Sequence, residues 1–141
     1  MWTINLRYLG IFILAGKSFR CCFDNARKSF YRAFNALFGK IGRAASVEVV
    51  LSLIRSKCLP RLLFCLEVCP LSKSDLRSLN FTVKRVLIKV LNTHSDVIIE
   101  ECQVYFNFPS VETLIESRKL TFVRKYRMIN SILFNVFAEV K

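Results

Sequence analysis

The sequence predicts a mainly α-helical fold, a helical bundle preceded by one short N-terminal β-strand or hairpin. Hydrophobic residues make up 53% of the 141-residue chain, well above the range of disordered sequences. Along most of the chain these residues recur at intervals of three and four, which is the period of amphipathic helices. With only 4 Gly and 3 Pro, collagen-like and low-complexity compositions are excluded. The length fits a single domain.

The strand is predicted near the N-terminus. Residues 6–14 form a β-prone apolar run that ends at Ala15, Gly16 and Lys17, which is typical of one buried strand followed by a turn. The uninterrupted apolar part, residues 8–15, is too short for a transmembrane helix and is not followed by a small-residue cleavage site. We therefore expect neither a membrane span nor an export signal.

Three helices are predicted before residue 70. The first begins with Asp24 as N-cap and ends at Gly39 as C-cap, and its inward face consists of Ala26, Phe30, Ala33, Phe34, Leu37 and Phe38. Tyr31 is expected to be exposed. The second begins at Ser46, places Val47, Val50, Leu51, Ile54 and Cys58 inward, and stops near Pro60. The third is an almost wholly apolar helix from Leu62 to Val68, central to the core.

The second half of the chain has clearer helix boundaries. Ser72 and Asp75 have the spacing of a capping box, and the helix that they start is expected to end at Asn92 and Thr93. A shorter helix is predicted from Ser95 or Asp96 to about Phe106. A long helix follows Ser110, with an apolar face of Val111, Ile115, Phe122, Tyr126, Ile129, Leu133 and Phe137.

The charge is strongly positive and unevenly distributed. The chain carries 22 Lys and Arg against 10 Asp and Glu, a net charge of +12. Residues 1–60 contribute +8 of this and residues 61–141 contribute +4. The candidate nucleic-acid-binding residues surround the first helix; they are Arg27, Lys28, Arg32, Lys40 and Arg43. Such a cluster attracts polyanions through counterion release, and the alternative is an ordinary solvated face.

Residues that would support catalysis are sparse. The one adjacent pair of carboxylates is Glu100 and Glu101, whose side chains would point about 100° apart on a helix, and no glycine-rich phosphate loop occurs. The six cysteines lack the paired spacing of a zinc site. They are expected to be buried thiols in an intracellular, reducing compartment, with disulfides as the alternative. We expect no catalytic residue, no metal and no cofactor.

Several segments resemble one family. They are Tyr8-Leu9-Gly10-Ile11 with Ile13, Ser18-Phe19, Asp24-Asn25-Ala26, residues 34–42 and residues 56–67. In order and spacing this set is similar to the end of the reverse transcriptase domain of LINE-like, non-LTR retrotransposons. The resemblance implies a residual palm strand and turn over residues 1–20, a thumb-like helical bundle over residues 21–108, and a long C-terminal helix over residues 109–141.

Departures from the family pattern limit what the resemblance implies. Leu14, Lys17 and Cys65 stand where the family has Asp, Leu and Gly. The metal-binding Tyr-x-Asp-Asp motif would lie upstream of Tyr8, where the sequence has seven residues. The resemblance thus implies a fragment or remnant of an RNA-directed DNA polymerase, inactive alone, that lacks the fingers and most of the palm.

In function, the resemblance implies a module that binds RNA or an RNA/DNA duplex through the backbone, with Arg27, Lys28 and Arg32 making the duplex contacts. Two alternatives stay open at this point. The chain could be a self-associating or protein-interaction remnant that binds no nucleic acid, since apolar faces would be uncovered. It could also be a basic amphipathic protein on anionic membranes, although we expect no membrane partner.

Overall fold

A computed structural model of the chain describes residues 5–42 and 44–129. A three-stranded antiparallel sheet precedes a mainly helical body, as the sequence predicts. The strands are β1 (Asn5–Tyr8), β2 (Ile11–Leu14) and β3 (Arg20–Cys22), in the order β1-β2-β3. The helices are α1 (Asp24–Ile41), α2 (Val47–Leu53), α3 (Leu59–Leu62), α4 (Lys73–Leu91), α5 (Asp96–Tyr105) and α6 (Val111–Met128).

The prediction of one buried strand over residues 6–14 is wrong. Leu9 and Gly10 have φ values of +46° and +85°, so the chain reverses there in a two-residue turn. Positive φ at both central residues gives a turn whose twist matches that of the flanking strands. Leu14 pairs with Asn5 and Ile11 pairs with Tyr8, and all four residues of β1 are exposed. The third strand, Arg20–Cys22, crosses residue 20, where the boundary between the N-terminal strand segment and the helical bundle was expected.

The core of the helical body lies between α1, the segment 50–66 and α4. Phe30 and Phe34 of α1 are 0% and 2% exposed, as the periodicity predicts. They pack in one cluster with residues from each of these segments, among them Val50, Ile54, Leu62, Leu66, Leu79, Val83, Val86 and Leu87. Tyr31, expected to be exposed, is half-buried and packs against this cluster, with its ring centroid 5.9 Å from that of Phe30.

The ends of α1 differ from the prediction. Asp24 is the first helical residue and Phe23 occupies the N-cap position without a side-chain cap. At the other end the helix continues past Gly39 to Ile41, and the Gly42 N–H donates to the Phe38 carbonyl. Gly39 has open space around it, so nothing in the packing forces the helix to stop there.

The second predicted helix passes Pro60 instead of stopping at it. Ser46 caps α2 by accepting a hydrogen bond from the Val49 N–H, but Val47, predicted to face inward, is 36% exposed. A π-helical segment, the wide turn (Ile54–Cys58), joins α2 to α3. There the Leu59 N–H donates to the Ile54 carbonyl, five residues back. The wider turn lies just before Pro60, whose ring would otherwise clash with the preceding turn.

The predicted third helix over residues 62–68 is wrong in conformation and only partly right in burial, because Phe64 and Val68 are 54% and 47% exposed. The helix ends at Leu62, and Cys65 has a left-handed φ of +59°. Hydrogen bonds that span three residues, such as Leu66 N–H to the Leu63 carbonyl at 3.3 Å, replace the helical pattern. Tight turns of this kind also place residues i and i+3 on one side. Leu63, Leu66 and Cys69 are therefore buried, as a helix would bury them.

The starts of the last three helices agree closely with the sequence prediction, whereas α6 ends at Met128, before Ile129 of its predicted apolar face. Ser72 and Asp75 form the reciprocal capping box, and Asn92 ends α4 in a left-handed conformation at φ +51°. Ser95 precedes α5, and the Ser110 side chain accepts from the Thr113 N–H at the start of α6.

The apolar face of α6 changes its environment along the helix. Val111 and Ile115 are buried, whereas residues 120–129 are exposed. Leu133 and Phe137, the last two members of the predicted face, lie outside the described residues. Among the helices of residues 5–42 and 44–129, none has the length and apolarity needed to cross a bilayer.

Candidate functional site

A groove opens where the sheet meets α1 and α3. Its walls carry four cationic side chains and three aromatic rings, and we call it the basic groove; these residues are Arg7, Lys28, Arg32, Arg61, Phe12, Phe23 and Phe64. Its volume is about 640 Å³. Three separate elements supply the cations, since Arg7 lies on β1, Lys28 and Arg32 on α1, and Arg61 on α3.

None of the four groove cations forms an ion pair with an Asp or Glu in the described part of the chain, although Lys28 acts on the Asp24 carboxylate at longer range. The ion pairs there involve other basic residues, and no Asp or Glu lines the groove. Arg7 instead stacks over the Phe12 ring, with the guanidinium carbon 5.9 Å from the ring centroid. Four like charges in one concave surface create a positive potential that attracts anions.

The spacing of α1 explains why Lys28 and Arg32 belong together. Residues four apart lie on the same helix face, so these two side chains point to the same side of α1. The opposite side of the helix is occupied by Phe30 and Phe34 in the core. Burial of the two rings therefore fixes the direction of the two cations, and both are exposed.

Arg27, the first of the predicted site residues, lies at the edge of the core instead of in the groove. Its guanidinium forms an ion pair with Asp24 and donates a hydrogen bond to the hydroxyl of Ser78 on α4. This places Arg27 as a link between α1 and α4. The hydrogen bond from Arg27 and a second one from the Cys22 thiol hold the pKa of the Asp24 carboxyl below its usual value.

Lys40, the fourth predicted site residue, is not in the groove either. Lys40 is exposed in the last turn of α1, about 12 Å along the helix axis from Arg32. Arg43 lies outside the described residues. The structure thus brings together two of the five predicted cations, Lys28 and Arg32.

Sequence reasoning missed two of the groove cations and all three of its rings. Arg7 and Phe12 face each other across the hairpin as a cross-strand pair, a contact that recognition of the Leu9-Gly10 turn would have predicted. Arg61 interrupts an apolar stretch in the sequence, and its place in the groove depends on how α3 is oriented. No local pattern indicates that orientation.

Metal chemistry finds no support in this part of the chain. Within residues 5–42 and 44–129, no group of three or more His, Cys, Asp and Glu side chains is arranged to hold a metal ion. All six cysteines are free thiols. Burial raises the pKa of the Cys58 and Cys69 thiols, that of Cys69 to about 12, which keeps them protonated at neutral pH.

What the arrangement offers chemically is anion binding. Lys and Arg side chains that are free of carboxylates can pair with phosphate oxygens, and aromatic rings in the same groove add flat apolar surface.

No family model matches the chain, and comparisons with curated proteins and with solved structures find no match either.

Proposed function

We propose that the chain is a thumb-like module of a non-LTR retrotransposon reverse transcriptase that binds a nucleic-acid duplex through its backbone. The observation that carries the proposal is the basic groove, in which cations from three elements converge without a carboxylate. The order of family-like segments along the sequence supplies the link to reverse transcriptases. The proposal assigns no catalytic residue to this chain.

Backbone contact is the mode of binding that the charges favour. Lys and Arg side chains neutralise phosphates and release counterions, so the binding constant falls steeply with salt. Phosphate contacts position a duplex without reading its sequence. We therefore propose RNA or an RNA/DNA hybrid as the partner and expect no strong sequence preference.

The proposal includes an intracellular, reducing compartment. Two thiols that pack in the core support it, since Cys58 is 0% exposed and Cys69 is 3% exposed.

The test is a salt series on the purified full chain with an RNA/DNA hybrid and with heparin. The double variant Lys28→Glu/Arg32→Glu reverses two groove charges. The control Lys73→Glu/Arg77→Glu makes the same change of charge at two exposed positions of α4 outside the groove. For the groove variant we expect the slope of log K against log salt to be smaller in magnitude by about 2 than for the wild-type chain. The control variant should keep the wild-type slope.

Two results would contradict the proposal. One is equal weakening by the groove variant and the control, since net charge alone would then explain the binding. The other is hybrid binding no tighter than heparin binding at matched salt, because a generic polyanion site does not distinguish them.

A second candidate function, self-association without nucleic-acid binding, is favoured by the exposed apolar side chains of the hairpin. Leu6, Tyr8 and Leu9 are 60%, 59% and 73% exposed. β1 is an edge strand of the sheet, and such an edge offers unpaired backbone groups to another chain. Light scattering across a concentration series tests this candidate. A growing mass with no retention on hybrid would support it and oppose the first proposal.

A further inference from the structure

The basic groove is too small for the duplex that its charges attract. A volume of about 640 Å³ falls in the range of roughly 300–1,000 Å³ that encloses small-molecule ligands. If a duplex lay across the mouth of the groove, the interior would still have room for a group the size of one nucleotide. We therefore consider the groove interior as a separate binding site for a small ligand.

Phe64 is the main apolar feature that the groove presents to solvent. Its neighbours Leu62, Leu63 and Leu66 are between 0% and 3% exposed, whereas Phe64 is 54% exposed. The ring thus points away from the core, unlike the side chains of these three neighbours. An exposed ring inside a cationic groove is suited to stacking on a nucleic-acid base.

The hairpin fixes the position of this ring. A Cβ built at Gly10 would lie 3.4 Å from the Phe64 Cε1 atom, so the turn of the hairpin contacts the ring edge. With φ at +85°, Gly10 holds a conformation that other residues rarely adopt. The Phe64 ring lines the groove together with Arg61 and Arg32.

We propose that the basic groove receives one unpaired nucleotide, whose base stacks on Phe64 and whose phosphate is held by the groove cations. This inference rests on the proposed function and names a ligand subsite within it. An unpaired base already lacks its partner, so little free energy is spent in moving it out of the stack. The chain should therefore prefer a duplex that carries an unpaired nucleotide over a fully paired one.

The experiment compares two RNA/DNA hybrids with the same number of base pairs, one fully paired and one that carries a single additional, bulged 2-aminopurine. Fluorescence anisotropy gives the affinity for each, and 2-aminopurine emission reports on stacking of the bulged base. Wild-type chain should bind the bulged hybrid about tenfold tighter, the contribution of one stacked base.

Variants of Phe64 separate stacking from charge. Phe64→Leu keeps an apolar side chain without a ring face and should abolish the preference, so that the bulged and the paired hybrid bind this variant with equal affinity. Phe64→Trp should retain the preference. Phe81→Leu is the matched control, because Phe81 is an exposed ring, at 60%, on α4 outside the groove; it should leave both affinities unchanged.

The outcomes distinguish this inference from the function on which it rests. If wild-type chain binds neither hybrid, both are overturned. If it binds the paired and bulged hybrids equally, or if Phe64→Leu keeps the preference, the nucleotide site is overturned while duplex binding stands.

Discussion

Replacement of Phe34 by alanine tests how the core holds α1 in place, and with it the two groove cations of that helix. Phe34 is 2% exposed and stacks on Phe38 with ring centroids 5.2 Å apart. The Lys89 ammonium of α4 lies 5.5 Å from the Phe34 ring centroid and 5.4 Å from that of Phe38. Phe34 therefore contributes to both the packing and the cation–π contact between α1 and α4.

The expected cost follows from these contacts. A buried Phe→Ala change costs about 3–5 kcal/mol through lost transfer energy and the cavity left behind. Because stacking and the cation–π contact are lost as well, we expect about 4 kcal/mol for Phe34→Ala. This is a large part of the roughly 5–15 kcal/mol that stabilises a typical domain.

Urea denaturation followed by far-ultraviolet circular dichroism measures the loss. With a slope of about 2 kcal/mol per molar urea, the midpoint should fall by about 2 M. Phe81→Ala is the control, since that ring is 60% exposed and contacts Arg85 at 5.9 Å; it should cost below about 1 kcal/mol. A Phe34→Ala loss no larger than the control's would refute the assignment of Phe34 to the core.

Three further predictions concern local features. Ser72→Ala removes the N-cap of α4 and should lower the free energy of unfolding by about 1 kcal/mol, whereas Ser74→Ala in the same turn should change it by less than about 0.5 kcal/mol; chemical denaturation compares them. The lowered pKa of Asp24 means that its ion pair with Arg27 stabilises the fold above the carboxyl's ordinary pKa of 3.8 and is lost as pH falls through the depressed value. Because the Asp24 side chain is 56% exposed, Asp24→Asn should flatten the acid limb of the stability–pH curve by less than about 1 kcal/mol; an unchanged limb would contradict this. Burial and the neighbouring Cys21 thiol raise the pKa of Cys69 to about 12, so iodoacetamide at pH 8 should label Cys69 far more slowly in the native chain than in urea, as peptide mass spectrometry would show, and equal rates would oppose its burial.

Helix boundaries set by local hydrogen bonds could be predicted from the sequence. The capping box of Ser72 and Asp75 satisfies backbone donors within four residues, so its spacing alone identifies the start of α4. The left-handed end at Asn92 is local in the same sense. In each case the residues that decide the structure are neighbours in the chain.

The backbone conformation was harder to predict where the spacing of the apolar residues fits two different structures. Leu63, Leu66 and Cys69 satisfy a helix and a run of three-residue turns equally well, and Cys65 adopts the left-handed conformation that ends the helix. The apolar run of residues 6–14 predicts one continuous strand. The turn that divides it needs a positive φ at Leu9, which is uncommon for a non-glycine residue.

The candidate site was predictable only where one helix carries it. Lys28 and Arg32 share a face of α1, so the sequence places them together. Arg61 reaches the same groove from α3, and Arg7 reaches it from β1. Their convergence depends on tertiary packing, and so does the hydrogen bond from Arg27 to Ser78, which is 51 residues away in the sequence.

The wide turn before Pro60 determines which side of the rod formed by α2 and α3 carries charge. In an uninterrupted α-helix, residues at i, i+4 and i+11 share one face, so Arg61 would align with Val50 and Ile54, which are 1% and 0% exposed. The hydrogen bond from the Leu59 N–H to the Ile54 carbonyl spans five residues, so the wide turn contains about one residue more than an α-helical turn. The residues after it are therefore rotated by about 100° around the helix axis. Leu62 takes the inward position at 0% exposure, and Arg61 is rotated out to the groove. A single-residue phase shift thus resolves a conflict between core and surface, and deletion of one residue within 54–58 would exchange the two roles.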